Sequence, residues 1–181
     1  MGGGLSAVSA GGAGSGGAAG DAPVSPEGAA TLSIFAPAFP SSGTACPETK
    51  TYAVGKPAPT TTDVGTPLDN GNADHAAIGC SVGENHGYNF VASLSGDAPN
   101  GTISLSVDAT IANGFGQAKV SVFTTDLIRT IIAETPCTIA VLSQQIEPGV
   151  IWAKFDCASL IAGAIECSAS GVFVFKHCSG A

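Results

Sequence analysis

The chain has 181 residues, 44% of them hydrophobic and only 11% charged, with a formal net charge of -8. Its six Lys and Arg are scattered at Lys50, Lys56, Lys119, Arg129, Lys154 and Lys176, so no basic cluster exists to neutralise nucleic-acid phosphate or to be drawn to an anionic bilayer. A folded part of about 150 residues buries roughly 70% of the surface its unfolded chain exposes, which is enough for one domain with a full core.

Residues 1–28 are mostly Gly, Ala and Ser, with too little side-chain surface to offset the entropy of ordering them. They are expected to form a flexible, disordered tether ahead of a single domain at 29–181. No basic residue precedes Lys50 and no long apolar run comes after Met1, so the expectation is an export signal already removed. Bacterial lipobox cysteines are commonly succeeded by a Gly/Ser tether of this kind, which makes a lipid anchor one expectation for this end. Met1 to Ser6 also fits the myristoylation pattern, although in a Gly/Ser-rich stretch that match is cheap.

From Thr31 the texture changes to short runs of period-two alternation broken by Gly, Pro, Asn and Asp, the pattern of strands and turns. The first strand is expected at Leu32–Phe35. Residues 37–72 then form a long loop rich in Pro, Thr and Gly, pinned to the body by Cys46. At its end, Asp69, Asn70, Asn72 and Asp74 place four oxygen-bearing side chains within six residues. A calcium site is one reading, but the spacing is not that of an EF-hand, and Asx and Gly clusters are turn formers first.

Further strands are expected at His75–Val82, Tyr88–Ser95, Thr102–Ile111 and Gln117–Thr124. The third of these is the clearest, with Ile103, Leu105, Val107, Ala109 and Ile111 on one face and polar residues on the other. Pro99-Asn100-Gly101 supplies a tight turn back to Tyr88–Ser95. Asn100-Gly101-Thr102 is also formally a glycosylation sequon. Thr125–Glu134 is the one helical candidate, capped by Thr125 or Asp126.

Thr138–Ser143, Val150–Cys157 and Val172–Cys178 complete eight strand candidates. With no amphipathic helix of crossover length, the expected fold is all-β, a disulfide-stapled β-sandwich of about eight antiparallel strands. Phe173 and Phe175 alternate with Val172 and Val174, so that last strand is apolar on both faces and belongs in the middle of a sandwich or at an interface.

Six cysteines without a C-x-x-C pair point to disulfides rather than to zinc or thioredoxin-like chemistry, and hence to an oxidising compartment: the periplasm, the outer membrane surface or the medium. Glu147 lies midway between Cys137 and Cys157 in the turn-forming run Ile146-Glu147-Pro148-Gly149. A hairpin centred there places the two cysteines opposite one another, whereas a turn centred one residue later breaks that register. The pairing of Cys46, Cys80, Cys167 and Cys178 is open.

Candidate chemistry is sparse. His75, His86 and His177 lie in no G-x-S-x-G or H-E-x-x-H motif, and ordinary surface or half-buried histidines are the simpler reading of each. Trp152 shares a face with Lys154 and Asp156, opposite Cys157, where it is either a core filler or an exposed stacking surface. No catalytic residue, resident metal or cofactor is implied.

The stretches Cys80-Ser81-Val82, Cys137-Thr138-Ile139, Gly149 to Cys157, and Cys167 to Phe175 ending in Cys178 resemble a group of exported proteins and lipoproteins of myxobacteria; Cys46-Pro47 with Lys50-Thr51-Tyr52 extends the likeness. The resemblance implies a location and a β fold, and no activity.

Together these readings favour an exported structural or binding module of the cell surface or extracellular space. Its partner would be a protein, a polysaccharide or a second copy, not a nucleic acid, and it would meet the membrane only through a lipid anchor. Two alternatives stand beside it. One is a filament or coat subunit that donates Thr31–Phe39 as a strand; the other is a secreted hydrolase with a cryptic site.

Overall fold

Alternation of apolar and polar residues sets the two faces of the sheet. In the computed structural model, which describes residues 24–41, 44–55, 76–84, 88–98, 101–125, 129–133, 135–142 and 149–180, the chain is all-β and no helix occurs among the described residues. Eleven strands run in order: β1 (Glu27–Phe35), β2 (Thr44–Ala45), β3 (Lys50–Val54), β4 (Ala77–Glu84), β5 (Tyr88–Ala98), β6 (Gly101–Ala112), β7 (Phe115–Thr124), β8 (Arg129–Ala133), β9 (Cys137–Val141), β10 (Ile151–Ala162) and β11 (Ile165–Lys176).

One sheet contains them all, in the order β3-β1-β11-β10-β8-β7-β6-β5-β4, and every ladder is antiparallel except the short parallel pairing of β2 with β11. Two-residue turns join its long hairpins. Asn113 and Gly114, at φ 52° and 80°, turn β6 into β7, and positive φ at both central positions matches the twist of the flanking strands.

The sheet folds over so that its two halves face each other as a sandwich. Phe90 of β5 stacks on Phe173 of β11 with centroids 5.5 Å apart, and Phe175 and Phe155 extend the aromatic cluster. Ile103, Leu105, Val107, Ala109 and Ile111 of β6 all point into this core and are buried. Each of the larger aliphatic side chains contributes about 1.5–3 kcal/mol through its burial.

Three disulfides staple the sandwich: Cys46–Cys167, Cys80–Cys178 and Cys137–Cys157, with no free cysteine among the described residues. Cys137 and Cys157 stand opposite in the β9–β10 register, with Cα atoms 4.4 Å apart. The turn residues 143–148 lie outside the described residues. Cys80–Cys178 clasps the tail to an edge. His177, at φ 56°, turns the chain out of β11, and Ser179 then pairs with Ser81 through Val82 N–H to Ser179 O (2.9 Å) and Ser179 N–H to Cys80 O (3.2 Å). That pairing covers part of the exposed edge of β4.

Several expectations need correction. The helix expected over Thr125–Glu134 is replaced by strand β8, where Thr130, Ile131 and Ile132 are consecutive β-branched residues that favour extended backbone. β8 and β9 fill one slot between β7 and β10, β8 pairing near one end and β9 near the other, with Pro136 in the break. A proline, lacking an N–H, suits such an interruption. The long loop at 37–72 contains β2 and β3, and Tyr52 of β3 reaches the core. The expected boundary between tether and domain at residue 28 falls inside β1, since Glu27 and Gly28 already pair with Lys176 and Phe175; residues 1–23 lie outside the described residues. The segment Thr31–Phe39, a candidate donated strand by its sequence, supplies β1, which is paired on both sides within its own sheet.

Candidate binding groove on the outer face

A concavity of about 690 Å³ crosses the outer face of β1, β11, β10, β9 and β7. Pairing register explains its composition. Thr31, Val172, Lys154, Ala140 and Phe115 stand side by side in one row across the five strands. Ser33, Ser170, Asp156 and Thr138 form the next row. At about 4.8 Å between strands and about 7 Å between same-face neighbours on one strand, the floor is about 19 Å long and two rows wide.

The groove therefore has a mostly apolar side and a hydroxyl side. Phe115, 70% exposed, stands at its β7 end. Lys154 and Asp156 lie next but one to each other on β10, are exposed and are in no ion pair among the described residues, and their opposite charges cancel locally. Thr138 Oγ1 donates to the Asp156 carbonyl (3.3 Å), and Ser33 Oγ shares a 2.9 Å bond with Thr51 Oγ1. The Thr31 hydroxyl, beside Val172, has no hydrogen-bond partner among the described residues. Gly171 holds the floor together: a Cβ there would lie 2.5 Å from the Thr31 carbonyl oxygen and 2.8 Å from the Phe155 ring.

A smaller depression of about 360 Å³ lies alongside, where Asp108 and Lys119 face each other across β6 and β7 near Pro136. Neither a matching family, nor a matching curated protein, nor a matching solved structure was found for this chain.

Trp152 is 3% exposed. It sits one row from the groove, packed with Ala29 and Val174 and flanked by Leu142 and Val172, with its Nε1 donor unpartnered among the described residues. The aromatic available for stacking is Phe115, which the strand expected at Gln117–Thr124 leaves out; the Asn113-Gly114 turn signal just before it would have started β7 there.

Other candidates do not converge. Asp69, Asn70, Asn72 and Asp74, His75 and His86 lie outside the described residues. His177 is exposed beyond the end of β11. No cluster of three or more metal-ligating side chains exists among the described residues. Thr102 of the sequon donates to Asp97 Oδ1 at 3.0 Å.

One buried carboxylate has no signal in the sequence. Glu166 is 3% exposed and accepts bonds from Ser41 N–H (2.8 Å), Ser41 Oγ (3.1 Å) and Ser159 Oγ (2.9 Å). It lies beside a bulge in which Ala158 and Ser159 oppose Ser168, and Ser168 Oγ donates to the Ala158 carbonyl at 2.7 Å. These bonds pin Ser41, six residues beyond β1, to β10 and β11. The role is structural.

Proposed function

We propose that the chain is an exported module of the cell surface or extracellular space, and that it acts by binding through the outer-face groove. Three disulfides in one β domain are those of a protein held in an oxidising, extracytoplasmic compartment. No helix among the described residues is long and apolar enough to cross a membrane. The finer location, released or held by a lipidated N-terminus, is part of the proposal, and the likeness of the Cys80–Cys178 stretch to exported lipoproteins supports it.

The observation that carries the binding reading is the groove itself. An exposed aromatic, hydroxyls and two charged heads with no ion pair among the described residues converge on a floor of strands paired on both sides. Groups of this kind orient a ligand by hydrogen bonds and gain affinity from an apolar wall.

Fractionation of the native cells with alkylation of free thiols before lysis tests the proposal. The expected result is a protein in the surface or medium fraction, cleaved by protease added to intact cells, with all six cysteines unalkylated. A cytosolic protein with free thiols would overturn it.

A further inference from the structure

We infer that the groove takes a neutral, linear saccharide laid across the strands. This rests on the reading of the chain as an exported binding module and goes further by naming the ligand class.

The two-sidedness of the floor is the first argument. Val172, Ala140 and Phe115 give one row apolar surface on either side of Lys154, and Ser33, Ser170 and Thr138 give the parallel row its hydroxyls. A chain of sugar rings presents C–H faces and hydroxyl edges along its whole length, so one chain satisfies both rows. Phe115 supplies the flat aromatic surface on which a ring face stacks. Lys154 as donor and Asp156 as acceptor give the charge-assisted hydrogen bonds that hydroxyl groups accept and donate.

Other occupants fit worse. An extended peptide gains its affinity from an unpaired strand edge, whereas the groove crosses strands that are paired along its floor. A lipid tail would desolvate Lys154 and Asp156 with no compensating partner. An anionic polymer meets one lysine in the groove and a chain of net charge -8.

The test uses the full oxidised chain on an array of neutral, anionic and amino-sugar oligosaccharides, and then titration of each retained glycan. The single Trp, one row from the floor, gives a fluorescence readout. Neutral glycans are expected to be retained, with affinity rising until the ligand spans the ~19 Å floor. Phe115→Ala should weaken binding about tenfold. Asp156→Asn and Lys154→Met should each weaken it severalfold. Phe123→Ala, further along β7 and outside the groove, should leave it unchanged.

All four side chains are at least partly exposed, and near-UV circular dichroism with disulfide mapping checks that each variant is folded. Retention of no neutral glycan would overturn the inference, as would affinities that Phe115→Ala and Asp156→Asn leave unchanged. A photo-crosslinker placed at position 115 on intact cells separates the two readings. A crosslinked protein without glycan binding would remove the saccharide and keep the binding module; neither a glycan nor a crosslinked partner would remove both.

Discussion

Replacing both Cys80 and Cys178 by Ser removes the clasp between the C-terminal tail and β4, and its cost depends on how the three disulfides are nested. The two residues are 98 apart in sequence. With Cys46–Cys167 intact, however, the shortest covalent path between them runs from Cys80 back to Cys46, across that bridge and on from Cys167 to Cys178, about 45 residues. Loop-closure entropy for about 45 residues corresponds to about 4 kcal/mol. Cys137–Cys157, which closes a 20-residue loop, corresponds to about 3.3 kcal/mol on the same relation. With a urea m-value of about 2 kcal/mol/M, the Cys80→Ser/Cys178→Ser protein should lose about 2 M in its unfolding midpoint, read by circular dichroism. Nesting adds a sharper expectation. Once this bridge is gone, the path closed by Cys46–Cys167 lengthens to about 100 residues, so removing that second bridge costs about 0.7 kcal/mol more than removing it alone. A loss below about 1 kcal/mol for the first pair, or strict additivity of the two, would refute the reasoning, the first by showing that the clasp constrains little in the unfolded chain.

Glu166→Ala strips the acceptors from Ser41 and Ser159 and should cost about 2–4 kcal/mol in urea unfolding, while Glu166→Gln, which turns one acceptor into a donor, should cost about 1–2 kcal/mol. Gly171→Ala forces β1 away from β11, because the new Cβ meets the Thr31 carbonyl oxygen and Phe155; a loss of about 2–3 kcal/mol is expected, and a midpoint equal to wild type would show that the floor has slack. Asn113→Ala places a less tolerant residue at φ 52° in the β6–β7 turn and should cost about 1 kcal/mol by the same assay, a loss that Asn113→Gly should not reproduce.

The fold was legible wherever one face is wet and the other dry. Ile103 to Ile111 and the run from Tyr88 announce β6 and β5, and Glu147 at the midpoint of Cys137 and Cys157 gives the β9–β10 register. Local signals failed where tertiary pairing decides. Thr125–Glu134 carries a helix cap signal at its start, yet the empty slot between β7 and β10 draws Arg129–Ala133 into a strand. Tyr52 lies in a five-residue strand among Pro, Thr and Gly, too short for alternation to declare itself. Cys46–Cys167 and Cys80–Cys178 join segments brought together by the sheet's long-range order, which no spacing reveals. Periodicity put Trp152 on the outer face but could not say that Val174 and Ala29 would enclose it. The groove was illegible for the same reason: its first row draws on positions 31, 172, 154, 140 and 115, which meet only because β1, β11, β10, β9 and β7 are neighbours.

The Cys137–Cys157 bridge ties this outer surface to the core beneath it. Both cysteines point inward and are buried, while their neighbours Thr138 and Asp156 point out into the groove. β9 has only five residues and Pro136 separates it from β8, so few ladder bonds hold the strip that carries Thr138 and Ala140. The disulfide then limits local opening of β9 as well as global unfolding. In a Cys137→Ala/Cys157→Ala protein, the amides of Ile139 and Val141 should exchange with solvent well before those of β6, through openings that do not unfold the sandwich. In the Cys80→Ser/Cys178→Ser protein, which loses comparable global stability, exchange in β9 and β6 should speed up together. Equal exchange behaviour in the two variants would mean that β9 is held by its neighbours alone, and that the bridge under the groove contributes only to the stability of the whole domain.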